Sequence, residues 1–290
     1  MTNKDIKERH FYRAKQEAGF VKEKVLQTPQ TQSDAYKLAF QDSEFLLREE
    51  LRPVRFQLEL LKPEMLLNEA QIASTLVIYG SARIPEPAKA DALLAAATDE
   101  RSRTIARRLK DKARYYDEAR KLARLASECG IVTEEGERHF VVCSGGGPSI
   151  MEAANRGAHD AGKESIGLNI VLPHEQAPNE YVTPDLSFQF HYFALRKMHF
   201  LMRARALAVF PGGFGTFDEF FETLTLIQTG KMEPMPILLF GQDFWNRVIN
   251  FEELALEGTI SPDDLNLFQM VDTADEAWSI IRRFYDLPCG

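Results

Sequence analysis

The sequence predicts an α/β protein: a doubly wound, mostly parallel sheet preceded by a helical N-terminal extension. Three observations predict it. Short apolar runs of strand type recur at 75–79, 140–143, 165–171, 206–210 and 237–240, and their continuity fits strands buried on both faces. Three of them end in glycines and pass directly into helical periodicity, the punctuation of a βα unit. Residues 1–70, by contrast, are charged, punctuated by leucine and carry no glycine turn after Gly19.

Within that first stretch, Phe45, Leu46, Arg48, Glu49 and Leu51 followed by Pro53 mark helices with a break. The stretch is read as an extension packed on the main domain or on a second subunit. The main domain, 71–290, opens with Thr75–Tyr79, closed by Gly80, Ser81 and Ala82. Ala88–Ala126 is rich in alanine, arginine and lysine and favours helix. About 25 residues of it, near 88–114, exceed a usual βα connection and are read as a helical insertion. Its cations are read as a solvated face, with contact to a regulatory anion as the alternative.

Phe140–Cys143 is the next strand, followed by Ser144, Gly145, Gly146, Gly147 and Pro148 and by a helix bearing Ile150, Met151, Ala154 and Ala158 on one face. Ser149 and Glu152 have capping-box spacing, so Glu152 is read as structural. Three successive glycines let a ligand approach the backbone amides. Ser165–Val171 is a third strand, leading into a proline-rich loop with His174 and Glu175. Leu186–Phe190 reads as a strand entering a helix with Phe193, Leu195, Met198, Leu201 and Met202 as its apolar positions. Arg196 and Lys197 lie on the polar side of that helix, and by pattern alone Arg196 is a snorkelling cation. The strand Ile237–Phe240, a helix over 244–254 and a last helix over 274–285 complete the chain.

Composition narrows the function classes. With 290 residues, the chain has ample length for a core. A net charge of −8 and a pI near 5.4 argue against a general nucleic-acid binder, which is usually basic. No apolar run has the length of a membrane helix and the N-terminus has no signal-peptide core, so a cytoplasmic location without membrane contact is expected. Cys129, Cys143 and Cys289 lack CxxC spacing and are read as plain thiols, not as a disulfide frame or a zinc site. No metal site or cofactor is expected.

The most informative stretch is Ala206–Thr229. A short strand ends in Pro211, Gly212 and Gly213, the turn continues through Phe214, Gly215 and Thr216, and Phe220, Leu224 and Ile227 continue as a helix. Such a junction points unpaired N–H groups outward at a positive helix end, which is an anion site. Thr216 and Glu219 have capping-box spacing, which leaves Glu219 with a structural and a functional reading of equal standing.

The run PGGFGTFDE resembles the PGGxGTxxE motif of the LOG (lonely guy) family of nucleoside 5′-monophosphate phosphoribohydrolases, and the Arg196–Lys197 pair upstream resembles a second family element. The resemblance covers about residues 70–255. It implies a Rossmann-like domain that hydrolyses the N-glycosidic bond of AMP or a cytokinin riboside 5′-monophosphate and forms at least a homodimer. It further implies Glu219 and Arg196 as the catalytic pair, with Gly212, Gly213, Gly215, Thr216, Lys197, Glu175, Ser81, Gly145, Gly146 and Gly147 as substrate-binding residues. His174 stands where the family has arginine, and the helix over 88–114 is an addition to the family pattern. Phe193 and Phe200 are candidate subunit contacts.

Right-handed crossovers bring the three glycine turns to one edge of the sheet, where ligands of such sheets bind. Their spacing is not that of a dinucleotide fingerprint, and Gly230–Lys231 is followed by Met232, so no P-loop exists. A single phosphate is the better fit, with Gly212, Gly213, Gly215 and Thr216 as its cradle and Glu219 held ionised by the helix dipole and backbone N–H groups. The alternative is a non-catalytic nucleotide- or cofactor-binding protein of the same fold.

Overall fold

The computed structural model describes residues 11–23, 26–173 and 177–288. Two compact units divide the chain, Met1–Leu58 and Glu59–Gly290. The first contains α1 (Ala14–Glu23), short 3-10 turns and α2 (Ser43–Leu46). The Asp42 carboxylate caps α2 by accepting from the Phe45 N–H at 3.1 Å. Helix α3 (Arg52–Glu69) begins in this unit, where Arg55 donates to the carbonyls of Leu46 and Arg48.

In the second unit the order is β1 (Thr75–Tyr79), α4 (Pro87–Ala95), α5 (Glu100–Lys112), α6 (Arg114–Cys129), β2 (Val141–Ser144), α7 (Ile150–Asp160) and β3 (Ser165–Ile170). Then follow β4 (Ser187–Phe190), α8 (Phe193–Met202), β5 (Ala204–Val209), α9 (Phe214–Gln228) and β6 (Ile237–Phe240). The last elements are α10 (Gln242–Val248), α11 (Phe251–Leu256), β7 (Gln269–Val271) and α12 (Ala274–Tyr285). All seven strands are parallel, in the order β4-β3-β2-β1-β5-β6-β7. β1 and β5 are central, and every residue of β1 is buried, as its continuous apolar run predicts.

The core on one face packs α6, α7 and α12 onto the sheet through small residues. Ala119, Ala123, Ala126, Ala153, Ala154, Ala158 and Ala277 let the helices approach closely, and Leu76, Ile78, Val142 and Phe210 meet them from the strands. Gly157 serves the same closeness, since an added Cβ would lie 2.1 Å from the Arg120 carbonyl oxygen.

Several elements differ from the sequence reading. β7 is a three-residue edge strand, too short to show periodicity. The helix expected over 244–254 is two helices, broken where Asn250 turns to cap α11 through its bond from the Glu253 N–H at 3.2 Å. Cys143 is a free, buried thiol as expected, but Cys129 is disulfide-bonded, and Cys289 lies outside the described residues.

Among the described residues no helix is long and apolar enough to cross a membrane, and no group of three or more His, Cys, Asp or Glu side chains is placed to hold a metal ion.

Candidate functional site

The strand order reverses between β1 and β5, and in open α/β sheets ligands lie outside the carboxyl ends of the strands at that reversal. A cavity of about 740 Å³ opens there. Its walls come from the turn after β1 (Tyr79, Gly80, Ser81), from Gly145 after β2, from α8 (Phe193, Arg196, Phe200) and from the start of α9 (Gly213–Glu219). That volume suits a small-molecule site.

α9 begins at Phe214, three residues earlier than a cap at Thr216 requires, with Gly213 as its N-cap and no side-chain cap. Its first intrahelical bond runs from the Phe217 N–H to the Gly213 carbonyl at 3.1 Å. The N–H groups of Phe214, Gly215 and Thr216 therefore lack helical acceptors at the cavity wall. Gly212 permits this start because an added Cβ would lie 2.1 Å from Thr216 Oγ1. The capping box predicted for Thr216 and Glu219 is thus absent, and the structural reading of Glu219 fails with it. The Ser149–Glu152 box is absent as well: Ser149 donates to the Ile84 carbonyl, and Glu152 accepts from the Tyr116 hydroxyl at 2.7 Å.

Glu219 is 7% exposed, and its Oε2 is buried with no hydrogen-bond partner among the described residues. Burial raises its pKa to about 7, against the lowering influence of Lys197 and Arg196. The expectation that dipole and backbone N–H groups hold it ionised is corrected: among the described residues no N–H bonds to its Oε2, and desolvation outweighs the nearby cations.

Two contacts among the described residues help to fix Arg196. Its Nε donates to the Leu168 carbonyl at 2.7 Å, and its guanidinium lies 5.0 Å from the Phe200 ring centroid. Gly145 makes room for it, since a Cβ there would stand 2.8 Å from an Arg196 terminal nitrogen. Phe200 is only 1% exposed and also meets Tyr79 edge-on at 5.0 Å, so it is core and unfit for the subunit contact predicted for it. Phe193 is exposed.

The cavity brings together Ser81, Gly145, Arg196, Gly213, Gly215, Thr216 and Glu219. Other predicted residues sit elsewhere. Lys197 turns to Asp218 and Glu222, at 2.9 and 3.0 Å, and lines a separate groove with Met198 and Met202. Burial alone would lower the Lys197 pKa, but those two carboxylates hold it above its ordinary value. Gly146 and Gly147 are off the cavity wall, their carbonyls accepting from Asn179 at 3.1 and 3.0 Å. Gly212 lies beneath the α9 turn instead of on the wall. Glu175 and His174 lie outside the described residues.

Sequence reasoning missed Tyr79, Met151 and Phe214 as wall residues. Phe214, 98% exposed, was readable as an aromatic inside the glycine turn. Tyr79 looked like an ordinary end of an apolar strand. Also missed was a buried brace under the second turn: Asn155 Oδ1 accepts from Ser144 at 2.7 Å and Asn179 at 2.9 Å, and its Nδ2 donates to Ser165 at 3.0 Å.

Comparison with known proteins bears on this site. The family described as "possible lysine decarboxylase" matches residues 151–281, which contain α8 and the α9 turn. Similar curated proteins include the cytokinin riboside 5′-monophosphate phosphoribohydrolase LOG2 of Arabidopsis thaliana, 25% identical over 178 residues, 60% of this chain and 78% of that one. The cytokinin riboside 5′-monophosphate phosphoribohydrolase LOG of Oryza sativa subsp. japonica is 29% identical over 169 residues, 57% of this chain and 65% of that one. Among solved structures, the molybdenum cofactor binding protein of Rippkaea orientalis is 17% identical with a TM-score of 0.43, covering 73% of this chain and 98% of that one.

Proposed function

We propose that this chain, which is similar to LOG phosphoribohydrolases, is a hydrolase that cleaves the N-glycosidic bond of a nucleoside 5′-monophosphate, giving free base and ribose 5-phosphate. AMP and cytokinin riboside 5′-monophosphates are the proposed substrates. The observation that carries this reading is the Glu219 carboxyl, buried with an unmatched oxygen and sharing one cavity with the open N–H groups of α9 and the Arg196 guanidinium.

The chemistry follows from that arrangement. The monoester sits on the N–H groups of Phe214, Gly215 and Thr216, where the helix dipole favours an anion. Breaking the C1′–N bond sends its electron pair to the base, which takes up a proton from solvent, and leaves an oxocarbenium-like ribosyl cation. A carboxylate facing that cation stabilises it and orients the water that adds to C1′. Glu219 serves in its ionised form, which the growing positive charge favours. With a pKa near 7 it is also basic enough to take the proton that water releases. Arg196 is a poor proton donor because guanidinium does not readily deprotonate, so its role is to hold charge on phosphate or base. Gly145, Ser81 and Gly213 shape the walls, and Phe214 and Phe193 offer aromatic surface to a base.

Incubation with AMP and with its N6-isopentenyl analogue, followed by chromatography, is expected to show released base from at least one. Release from neither by folded protein refutes the proposal. The resemblance to the family also supports assembly as at least a homodimer, with Phe193 as a candidate contact; light scattering at the monomer mass refutes that part.

A further inference from the structure

Two polar atoms at the floor of the cavity have no hydrogen-bond partner among the described residues: Glu219 Oε2 and the Tyr79 hydroxyl. Both residues line the same cavity, and both are more than nine-tenths buried, Tyr79 at 5% exposure. Buried polar atoms are satisfied in the great majority of cases, so two orphans on one wall call for an explanation.

The surroundings of Tyr79 fix it in place. It ends β1, in register with Val209 at the end of β5, and its carbonyl accepts from the Phe210 N–H at 2.8 Å just before the glycine turn. Its ring stands edge-on to Phe200, the same ring that carries the Arg196 guanidinium. The phenol is thereby held at the end of β1 against Phe200 of α8, its hydroxyl buried beside the cavity. The chemistry of the pair is complementary. A phenol donates one proton, and an ionised carboxylate only accepts.

We propose that Tyr79 is a positioning residue for Glu219: its hydroxyl donates, directly or through one water, to Oε2 of the ionised carboxylate and so turns Oε1 toward the ligand. This rests on the reading of Glu219 as the working carboxyl of the site. The two atoms are unpaired as the structure stands, and a charged carboxylate draws a donor more strongly than a neutral carboxyl does. When a cationic centre develops in the cavity and Glu219 ionises, the bond forms and the carboxylate is aimed. The charged groups that face Glu219 are Arg196 and Lys197 from α8 and Asp218 and Glu222 from its own helix. The electrostatic neighbours of Tyr79 are Glu219, Cys143 of β2, Arg196 and Glu222. Burial first, and Glu219 second, keep the phenol well above its ordinary pKa, so it remains a donor at any working pH. The Cys143 thiol, also raised by burial, adds no charge.

The test is Tyr79→Phe, which keeps the ring and its contact with Phe200 and removes only the oxygen. Glu219 is followed by carbon-13 NMR titration of glutamate carboxyls, assigned by comparison with Glu219→Gln. Loss of a hydrogen bond to the charged form is expected to move the Glu219 titration upward by about one pH unit. The acidic limb of the kcat/KM profile should move with it, while the melting temperature stays at or above that of the parent. An unmoved titration overturns the inference, and so does a marked drop in melting temperature, which makes Tyr79 a packing element or a structural donor. The NMR arm does not depend on turnover. A moved titration in a protein that hydrolyses no nucleotide leaves this inference standing and removes the proposed function; turnover with an unmoved titration does the reverse.

Discussion

Replacing Glu219 with glutamine should make the protein more stable at pH 8 and leave it nearly unchanged at pH 5. The folded pKa of Glu219, about 7, lies above its ordinary value of 4.5. Below the lower value both folded and unfolded chains hold the proton and the group contributes nothing. Between the two values the unfolded chain releases its proton while the folded chain keeps it, so parent stability falls as pH rises and levels off above about 7. The separation of the two values corresponds to about 3 kcal/mol. Glutamine has no proton to lose but leaves a buried amide N–H short of an acceptor, costing about 1 kcal/mol. The net gain at pH 8 is therefore about 2 kcal/mol, read by urea denaturation at the two pH values with the slope of the transition checked for constancy. Equal gains at pH 5 and pH 8 would refute the burial argument. A loss of about 1 kcal/mol or more at both pH values would restore a capping role for Glu219.

Three further outcomes follow from the geometry. Arg196→Lys should lower turnover at least ~100-fold, since a lysine keeps the charge but not the planar fork anchored at Leu168 and Phe200; turnover within a few-fold of the parent would remove Arg196 from the reaction. Gly212→Ala should destabilise by roughly 1–3 kcal/mol because its Cβ meets Thr216, whereas Gly213→Ala, with nothing within 4 Å, should melt with the parent; the two melting curves decide, and equal losses contradict the packing of the α9 turn. Asn155→Ala should cost about 2–4 kcal/mol by leaving the buried Ser144 hydroxyl without its acceptor and breaking the bonds to Ser165 and Asn179, measured by denaturation; a cost near zero contradicts the brace.

Strand existence was readable because β1, β3, β5 and β6 are buried on both faces, and a fully buried strand leaves an uninterrupted apolar run. β7 was not, because three residues on a sheet edge carry no pattern. Much of the candidate site was legible at Gly213, Gly215, Thr216, Arg196 and Glu219, since glycines, a helix start and charge placement are local signals. What eluded the sequence was direction. Arg196 and Lys197 are adjacent on one helix, yet the first turns into the cavity and the second toward Asp218 and Glu222, a choice made by partners on α9. The spacing of Thr216 and Glu219 suggested a cap, but Gly212 packs under Thr216 and starts the helix early, which frees the carboxylate. Asn179 and Asn155 show no motif at all; they matter only because the fold stacks their segments beneath Gly146 and Gly147.

The central claim is that one buried carboxyl, a cation and an open helix terminus act together on a nucleoside monophosphate. It is tested most directly by measuring free base and ribose 5-phosphate together, by chromatography, from parent, Glu219→Gln and Arg196→Ala proteins given the same nucleotide. The account predicts equimolar products from the parent and neither product from folded samples of the two variants. Turnover that survives in Glu219→Gln, or a parent that binds the nucleotide and releases nothing, would contradict it.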